Sequence, residues 1–218
     1  MPYPYHLDRI ECSGNNTEVL PGGEAGICLR DEGYSRLTRE MIEFGIFDPA
    51  SHERLNLTEG DVVIPESVLY NGKIIHLTGI GSNVFQGCRD LTSLILPAHL
   101  RTIGSFAFQG CHNLKKAVLP ESLQKLETAA FADCTGLQEI TLSDSIKTMD
   151  SSVFENCRSL CEIRLPASLK KICSNTFKDC VSLTRAQLPD TITSIGEAAF
   201  SGCVSLTDLR IPEPTGEI

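Results

Sequence analysis

Residues 85–91 read FQGCRDL, and the same order of phenylalanine, cysteine and leucine returns 23 residues later as FQGCHNL at residues 108–114. The pattern occurs six times without an insertion, so each of the three residue types forms a ladder of constant period. A gap-free period of this length predicts a solenoid in which equivalent residues stack. The ladders are Phe85, Phe108, Phe131, Phe154, Phe177 and Phe200; Cys88, Cys111, Cys134, Cys157, Cys180 and Cys203; and Leu91, Leu114, Leu137, Leu160, Leu183 and Leu206.

One 23-residue unit is too short to bury its apolar side chains alone, so the stacked ladders are expected to form one continuous core. Alternation around Leu94 and Leu96 predicts a short strand with Ser93 and Ile95 pointing outward. A proline ends that strand in most units, because proline lacks the N–H that a longer strand would need. We expect a second extended segment over residues 100–103, and a turn or short helix around residues 107–110 that closes each coil. The strand-ending prolines are Pro97, Pro120, Pro166, Pro189 and Pro212.

The composition argues against several classes of protein. The 218 residues carry a net charge of −9, which disfavours a nucleic-acid binder because that affinity comes largely from basic side chains. No apolar run approaches the roughly 18 residues that a membrane-spanning helix needs, so we expect no membrane insertion. Residues 1–9 lack a basic segment followed by an apolar one, so no signal peptide is visible in this chain.

Two stretches carry a family resemblance. IGSFAFQGC at residues 103–111 and IGEAAFSGC at residues 195–203 resemble the I-G-x-x-A-F-x-G-C signature of BspA-type (Treponema-type) leucine-rich repeats. Residues 60–73 are similar to the lead-in hairpin of many members. The resemblance covers about residues 60–212 and implies an α/β fold, namely a right-handed leucine-rich-repeat solenoid, or horseshoe, with a parallel β-sheet on its concave face. It also implies no catalytic apparatus and a cell-surface or secreted protein, in several members an adhesin.

The sequence divides into two regions. Residues 60–218 are expected to form the solenoid, with a lead-in hairpin at residues 60–79 and six 23-residue repeats. Residues 1–59 lie outside the repeat and hold five basic and eleven acidic residues, which suits a polar cap over the first coil, with a separate functional head as the alternative. Within this region, residues 35–44 show weak helical spacing. The repeats depart from their own pattern at Ser143, where the others have proline, and at Ala117 and Ala186, where the others have leucine or isoleucine.

Nothing in the sequence predicts catalytic chemistry, a metal or a cofactor. The six ladder cysteines are expected as buried reduced thiols that behave as small apolar residues. Cys161 and Cys173 lie off the ladder, while Cys12 and Cys28 form the one plausible disulfide pair, in an oxidising compartment. A nucleophilic site would need a histidine beside a serine or cysteine, and the five histidines are expected to fall on unrelated phases of the repeat.

Function is expected on the outward strand positions, because the inward ones belong to the core. The candidate anchors of a binding face are apolar residues and arginines, which dominate protein interfaces, while charged neighbours set complementarity. A basic row, Arg101, Lys125, Lys147, Lys170 and Lys171, runs elsewhere on the coil. The predicted binding residues are Ile95, Val118, Arg164, Arg185 and Arg210, together with Lys116, Glu139 and Glu162.

Two hypotheses of function follow. The first is a non-enzymatic binding module, monomeric and of adhesin type, which recognises a protein partner such as a host or matrix protein through the concave strand face. The second is a structural spacer or stalk segment of a larger surface protein, with no binding face of its own. The sequence does not identify the partner, and it leaves open whether the protein stays inside the cell or is a mature or trimmed form of an exported protein.

Overall fold

The computed structural model describes residues 6–7, 19–20, 24–27, 47–48, 53–54, 61–64, 67–70, 73–89 and 91–212. The helical spacing at residues 35–44 and the Cys12–Cys28 pair lie outside these residues. The repeat forms a stack of coils, each made of a three-residue strand, a two-residue strand and a closing turn. Because every coil has the same length, equivalent segments of successive coils lie side by side and pair in parallel.

The three-residue strands form the first sheet. Their register is set by the 23-residue period, so that Lys116 lies beside Ser93 on one side and beside Glu139 on the other. In the five strands from Ser93–Ile95 to Arg185–Gln187 the middle residue is buried and the last is exposed, as alternation on a half-buried strand requires. The strands are Asp61–Val63, Ser93–Ile95, Lys116–Val118 and Glu139–Thr141, followed by Glu162–Arg164, Arg185–Gln187 and Asp208–Leu209.

The two-residue strands form the second sheet, which starts on the long strand Lys73–Ile80. The second residue of the short strands enters the core in the middle coils, where Ile103, Leu126 and Met149 are all buried, whereas Ile195 in the last short strand is 36% exposed. The short strands are Thr102–Ile103, Lys125–Leu126, Thr148–Met149, Lys171–Ile172 and Ser194–Ile195.

The strands before the repeat attach to this second sheet. Ser67–Tyr70 pairs antiparallel with Lys73–Ile80, with Tyr70 opposite Lys73, and Glu24–Ile27 pairs parallel with the other side of that long strand. The remaining strands described here are two residues long and occur as His6–Leu7, Val19–Leu20, Phe47–Asp48 and Glu53–Arg54.

The closing turns carry the phenylalanine ladder into the core. Each turn bonds to the next one, as where the Phe108 N–H donates to the Ala130 carbonyl oxygen at 2.8 Å. The rings stack with centroids 5.1–5.9 Å apart and planes within 18° of parallel. A Cβ on Gly104 would lie 2.7 Å from backbone atoms of Gly81 and Ser82, so glycine is needed where adjacent coils approach this closely.

The strand pairing is interrupted once among the described coils. Neither sheet pairs across the boundary between residues 139–149 and residues 162–172, whereas the turns remain bonded there, with the Phe154 N–H donating to Thr176 O at 2.9 Å. Ser143, which replaces the usual proline, lies at this boundary and donates through its hydroxyl to the Glu121 carboxylate at 2.9 Å. The two halves of the first sheet are therefore joined mainly along the turn side of the stack.

The architecture is thus a parallel β-solenoid of about six turns, as the period predicts. The α part of the expected α/β class does not appear in the described residues, where every closing segment is a turn and none is a helix. The bonding between coils explains this difference, because N–H groups of each closing segment, such as those of Phe106 and Phe108, donate to carbonyl oxygens of the next coil, whereas a helix would use them for bonds within itself.

Candidate binding surface

The outward positions of the first sheet form an exposed surface, which we call the strand face, in two stretches that meet at the interruption of the sheet. It consists of two rows, one from the first and one from the third residue of each strand, and the parallel register places equivalent residues side by side. Adjacent strands in such a sheet lie about 4.8 Å apart, so each coil contributes two side chains to an extended surface. The rows are Ser93, Lys116, Glu139, Glu162, Arg185 and Asp208, and Ile95, Val118, Thr141, Arg164, Gln187 and Arg210.

The apolar part of the strand face lies at its N-terminal end. Ile95 is 56% exposed and Val118 is 54% exposed, although both side chains are large and apolar. They occupy equivalent positions on paired strands, with Thr141 next in the same row. Two exposed apolar side chains in contact range form a small patch whose burial by a partner would be favourable.

The charged part of the strand face largely neutralises itself. Lys116 Nζ lies 3.0 Å from Glu139 Oε1, and Arg185 Nε lies 2.8 Å from Asp208 Oδ2. These pairs are exposed, so each contributes little to stability. Glu162 is exposed between them and forms no ion pair with any described residue, and Arg210 is exposed in the last coil.

Arg164 reaches sideways out of its row at the interruption of the sheets. Its guanidinium donates to Asp144 at 3.0 Å, and the Ala167 N–H donates to the same carboxylate at 2.9 Å. These two hydrogen bonds hold the pKa of Asp144 below its usual value, with that from Arg164 contributing most. The arginine that was expected to face a partner therefore also bridges the two coils.

The inward side of each coil carries the cysteine ladder. Five of the six ladder thiols donate to the carbonyl oxygen of a phenylalanine 26 residues earlier, as in Cys134 to Phe108 at 3.1 Å and Cys157 to Phe131 at 3.2 Å. The same oxygen already accepts the N–H of the cysteine in its own coil, so the thiol uses its second lone pair. Equivalent bonds are made by Cys111, Cys180 and Cys203.

The four ladder thiols in the middle of the stack are shielded from reaction, whereas a hydrogen bond with Cys180 lowers the pKa of half-buried Cys203. Burial raises the pKa of Cys134 and Cys157, and a hydrogen bond with Cys134 together with burial raises that of Cys111. A raised pKa lowers the population of the thiolate, which is the form that binds metals and attacks electrophiles. The eight cysteines in the described part of the chain are free thiols, of which Cys88 and Cys203 at the two ends are half-buried, Cys161 is exposed and Cys173 is half-buried.

The histidines depart from the expectation in one respect. His76 and His99 stand 23 residues apart, on the same phase of the repeat, and their rings meet edge to face with centroids 5.4 Å apart. The expectation of unrelated phases is therefore wrong for this pair. Both rings are exposed, and among the described residues no group of three or more histidine, cysteine or acidic side chains is placed to hold a metal ion.

The basic row also differs in detail from its sequence-based description. The Gln124 N–H donates to Arg101 O and the Lys147 N–H donates to Gln124 O, so Arg101, Gln124 and Lys147 share one position of the repeat. Lys125 pairs in register with Thr102 and Thr148, one residue further along. The basic residues therefore occupy two adjacent rows. This distinction follows from counting positions within the repeat, which is the signal that could have separated them.

Comparison with known proteins agrees with the family resemblance seen in the sequence. A family model described as the BspA type leucine rich repeat region matches residues 78–207 in six copies. A leucine-rich repeat protein from Eubacterium ventriosum has a TM-score of 0.61 at 27% identity, covering 72% of this chain and 46% of that chain. A leucine-rich cell surface protein from Faecalibacterium prausnitzii gives 0.58 at 27% identity, covering 68% and 46%.

A leucine-rich repeat protein from T. pallidum is similar as well, with a TM-score of 0.53 at 26% identity, covering 68% of this chain and 78% of that chain. The chain spans just under half of the length of the E. ventriosum and F. prausnitzii proteins. No match to a curated protein is found. In the part of the chain that the structure describes, no helix is long and apolar enough to cross a membrane.

Proposed function

Because the chain belongs to the BspA-type leucine-rich repeat family, we propose that it is a non-enzymatic binding module that recognises a protein partner through the strand face. The observation that carries this proposal is the exposure of Ile95 and Val118 side by side on a continuous sheet. Removal of exposed apolar side chains from water on contact with a partner contributes to affinity. In this proposal the solenoid is a right-handed horseshoe and the strand face is its concave side.

The partner proposed is another protein at a cell surface, such as a host or matrix protein, bound by a monomeric chain in the manner of an adhesin. The similarity to a protein described as a cell surface protein supports the location. Ile95 and Val118 would anchor the partner. Arg185 and Arg210 would extend the contact along the sheet, while the charges at Lys116, Glu139 and Glu162 would select a partner of matching pattern.

The second candidate is a spacer segment without a binding face. The observation that favours it is the mutual pairing of Lys116 with Glu139 and of Arg185 with Asp208, which leaves few charges of the strand face unsatisfied. A partner would have to break or reuse these pairs. A spacer predicts that no change on the strand face alters any interaction of the protein.

The test begins with capture of matrix proteins by the purified chain and measurement of the affinity for the one retained. The strand-face variant is Ile95→Ser with Val118→Ser. Its matched control is Val204→Ser with Ile211→Ser, since both of these apolar side chains are also exposed, at 83% and 58%, but lie off the strand face. Loss of the apolar anchors should weaken binding at least tenfold.

The control should stay within about twofold of the parent, and both variants should unfold within a few degrees of it, because exposed substitutions change stability little. Equal weakening by the two variants would move the contact away from the strand face. Failure of the chain to retain any matrix protein would favour the spacer.

A further inference from the structure

Three lysines form a second exposed surface on the side of the second sheet. Lys147 and Lys170 stand at the same position of successive coils, and Lys171 begins the strand Lys171–Ile172. All three side chains are exposed. The Ser168 hydroxyl donates to Ile146 O at 2.6 Å, which holds the backbones beside Lys147 and Lys170 together across the interruption of the sheets. We call these three residues the lysine patch.

The charge of the lysine patch is not neutralised. None of its three ammonium groups forms an ion pair with a described residue, whereas Lys125 in the same region lies 3.0 Å from Glu127 and 3.7 Å from Asp150. The nearest acidic residues along the chain, Asp144 and Asp150, each lie three residues from Lys147. Asp144 is held by Arg164 and the Ala167 N–H, and Asp150 pairs with Lys125. The patch therefore presents three unpaired positive charges on two adjacent coils of an acidic protein.

Three exposed hydroxyl-bearing residues flank the patch, of which Thr193 already donates to Lys170 O at 3.1 Å. Thr148, Thr193 and Ser194 are exposed on the flanking positions, and no aromatic residue lies among them. Ammonium and hydroxyl groups together suit an anion rich in acceptor oxygens. The absence of aromatic side chains from these flanking positions disfavours ligands that bind by ring stacking, including single-stranded nucleic acid.

We propose that the lysine patch binds a sulfated polysaccharide. Sulfate groups repeat along such a polymer, so one chain lying across the coils can contact charges on both of them at once. Three lysines fall short of the four to eight basic residues typical of an anionic lipid site, and the net charge of −9 opposes the extended contact that a nucleic acid would make. The proposal is independent of the strand face and of its partner.

The experiment measures binding of the full chain to heparin, the probe for this class of ligand, at physiological salt. The patch variant is Lys147→Gln, Lys170→Gln and Lys171→Gln. The control variant, Arg89→Gln, Lys115→Gln and Arg158→Gln, removes the same charge from exposed residues outside the patch. We expect the patch variant to bind at least tenfold more weakly and the control to stay within threefold, with thermal unfolding unchanged in both.

Two further measurements vary the salt concentration and the sulfation of the ligand. The affinity of the parent chain should fall as salt rises, because bound counterions are released on binding, and the patch variant should show a smaller dependence. Desulfated heparin should bind at least tenfold more weakly than heparin. Equal losses in both variants, no heparin binding by the parent chain, or tighter binding to single-stranded DNA or to phosphatidylserine vesicles would each overturn the proposal.

Discussion

The same nine-residue motif occupies two different environments in this molecule. In residues 103–111 it lies in a middle coil, where Ile103 and Phe108 have no exposed surface. In residues 195–203 it lies in the last complete coil, where Ile195 is 36% exposed and Phe200 is half-buried. The residues that define the motif are identical, so the difference arises from the neighbouring coils alone.

Among the described residues, a middle coil is covered on both sides, and the last one on one side. Phe108 stacks between Phe85 and Phe131, whereas Phe200 stacks on Phe177 only among the described residues. In a solenoid the interfaces between neighbouring repeats carry much of the stability. Burial of a repeat residue is therefore a property of the stack, and equal residues should differ in their contribution to stability.

The largest expected effect is on stability, when a phenylalanine of the ladder is truncated in a middle coil or in the last coil. Phe131→Ala should lower the free energy of unfolding by about 3–5 kcal/mol, because it leaves a cavity in a fully packed core. Phe200→Ala should lower it by only about 1–2 kcal/mol, since part of that ring is already in water. Urea unfolding followed by circular dichroism measures both. Equal losses would show that the last coil is covered as well as the middle ones.

The cysteine ladder gives an intermediate effect. In brief native alkylation followed by mass spectrometry, Cys134 and Cys157 should react at least a hundredfold more slowly than exposed Cys161, because burial raises their pKa and blocks access. Cys203, which is half-buried at the end of the stack, should react at an intermediate rate. Uniform labelling, or a disulfide between Cys111 and Cys134, would contradict the packing described above.

The smallest effect is expected where burial plays no part. Arg164→Ala in a middle coil and Arg185→Ala near the end should each shift the unfolding temperature by less than about 2 °C, because exposed ion pairs contribute little. Arg164→Ala should also raise the pKa of Asp144, measured by NMR titration, towards its ordinary value. The small stabilisation from the Asp144 pair is present at neutral pH and is lost as pH falls through the lowered pKa. A large loss of stability in only one variant would show that the contribution of an ion pair also depends on the position of its coil in the stack.

Much of the fold could be predicted from the period alone. The constant spacing of 23 residues predicts parallel pairing and a single stacked core, and the strands and buried rows of the solenoid follow it. The backbone conformation of the turns is harder to predict from the sequence, since Phe106 and Ala129 adopt left-handed conformations that their side chains disfavour. A second left-handed position of each turn is easier to predict from the sequence. It holds Gly110 in one coil and Asp133 or Asn156 in the next two, and these residue types tolerate that conformation.

The candidate surfaces could be predicted only in part. Outward positions follow from strand alternation, so the exposure of Ile95 and Val118 could be predicted from the sequence. The interruption of the sheets and the Arg164–Asp144 contact depend on how the two coils meet around Ser143, and a period carries no information about a local departure from it. The lysine patch is visible only when each lysine is assigned to its own row and its lack of an ion pair is known.

The reach of five ladder thiols to a carbonyl 26 residues earlier constrains how the length of this protein can change. Removing or duplicating 23 residues between equivalent positions restores every stacked ring, thiol bond and strand pair, because each coil meets an equivalent neighbour. Inserting a single residue within a strand shifts all later side chains of that coil to the wrong side. A gene encoding such a chain can therefore lengthen or shorten it by recombination between repeats, in steps of one whole coil.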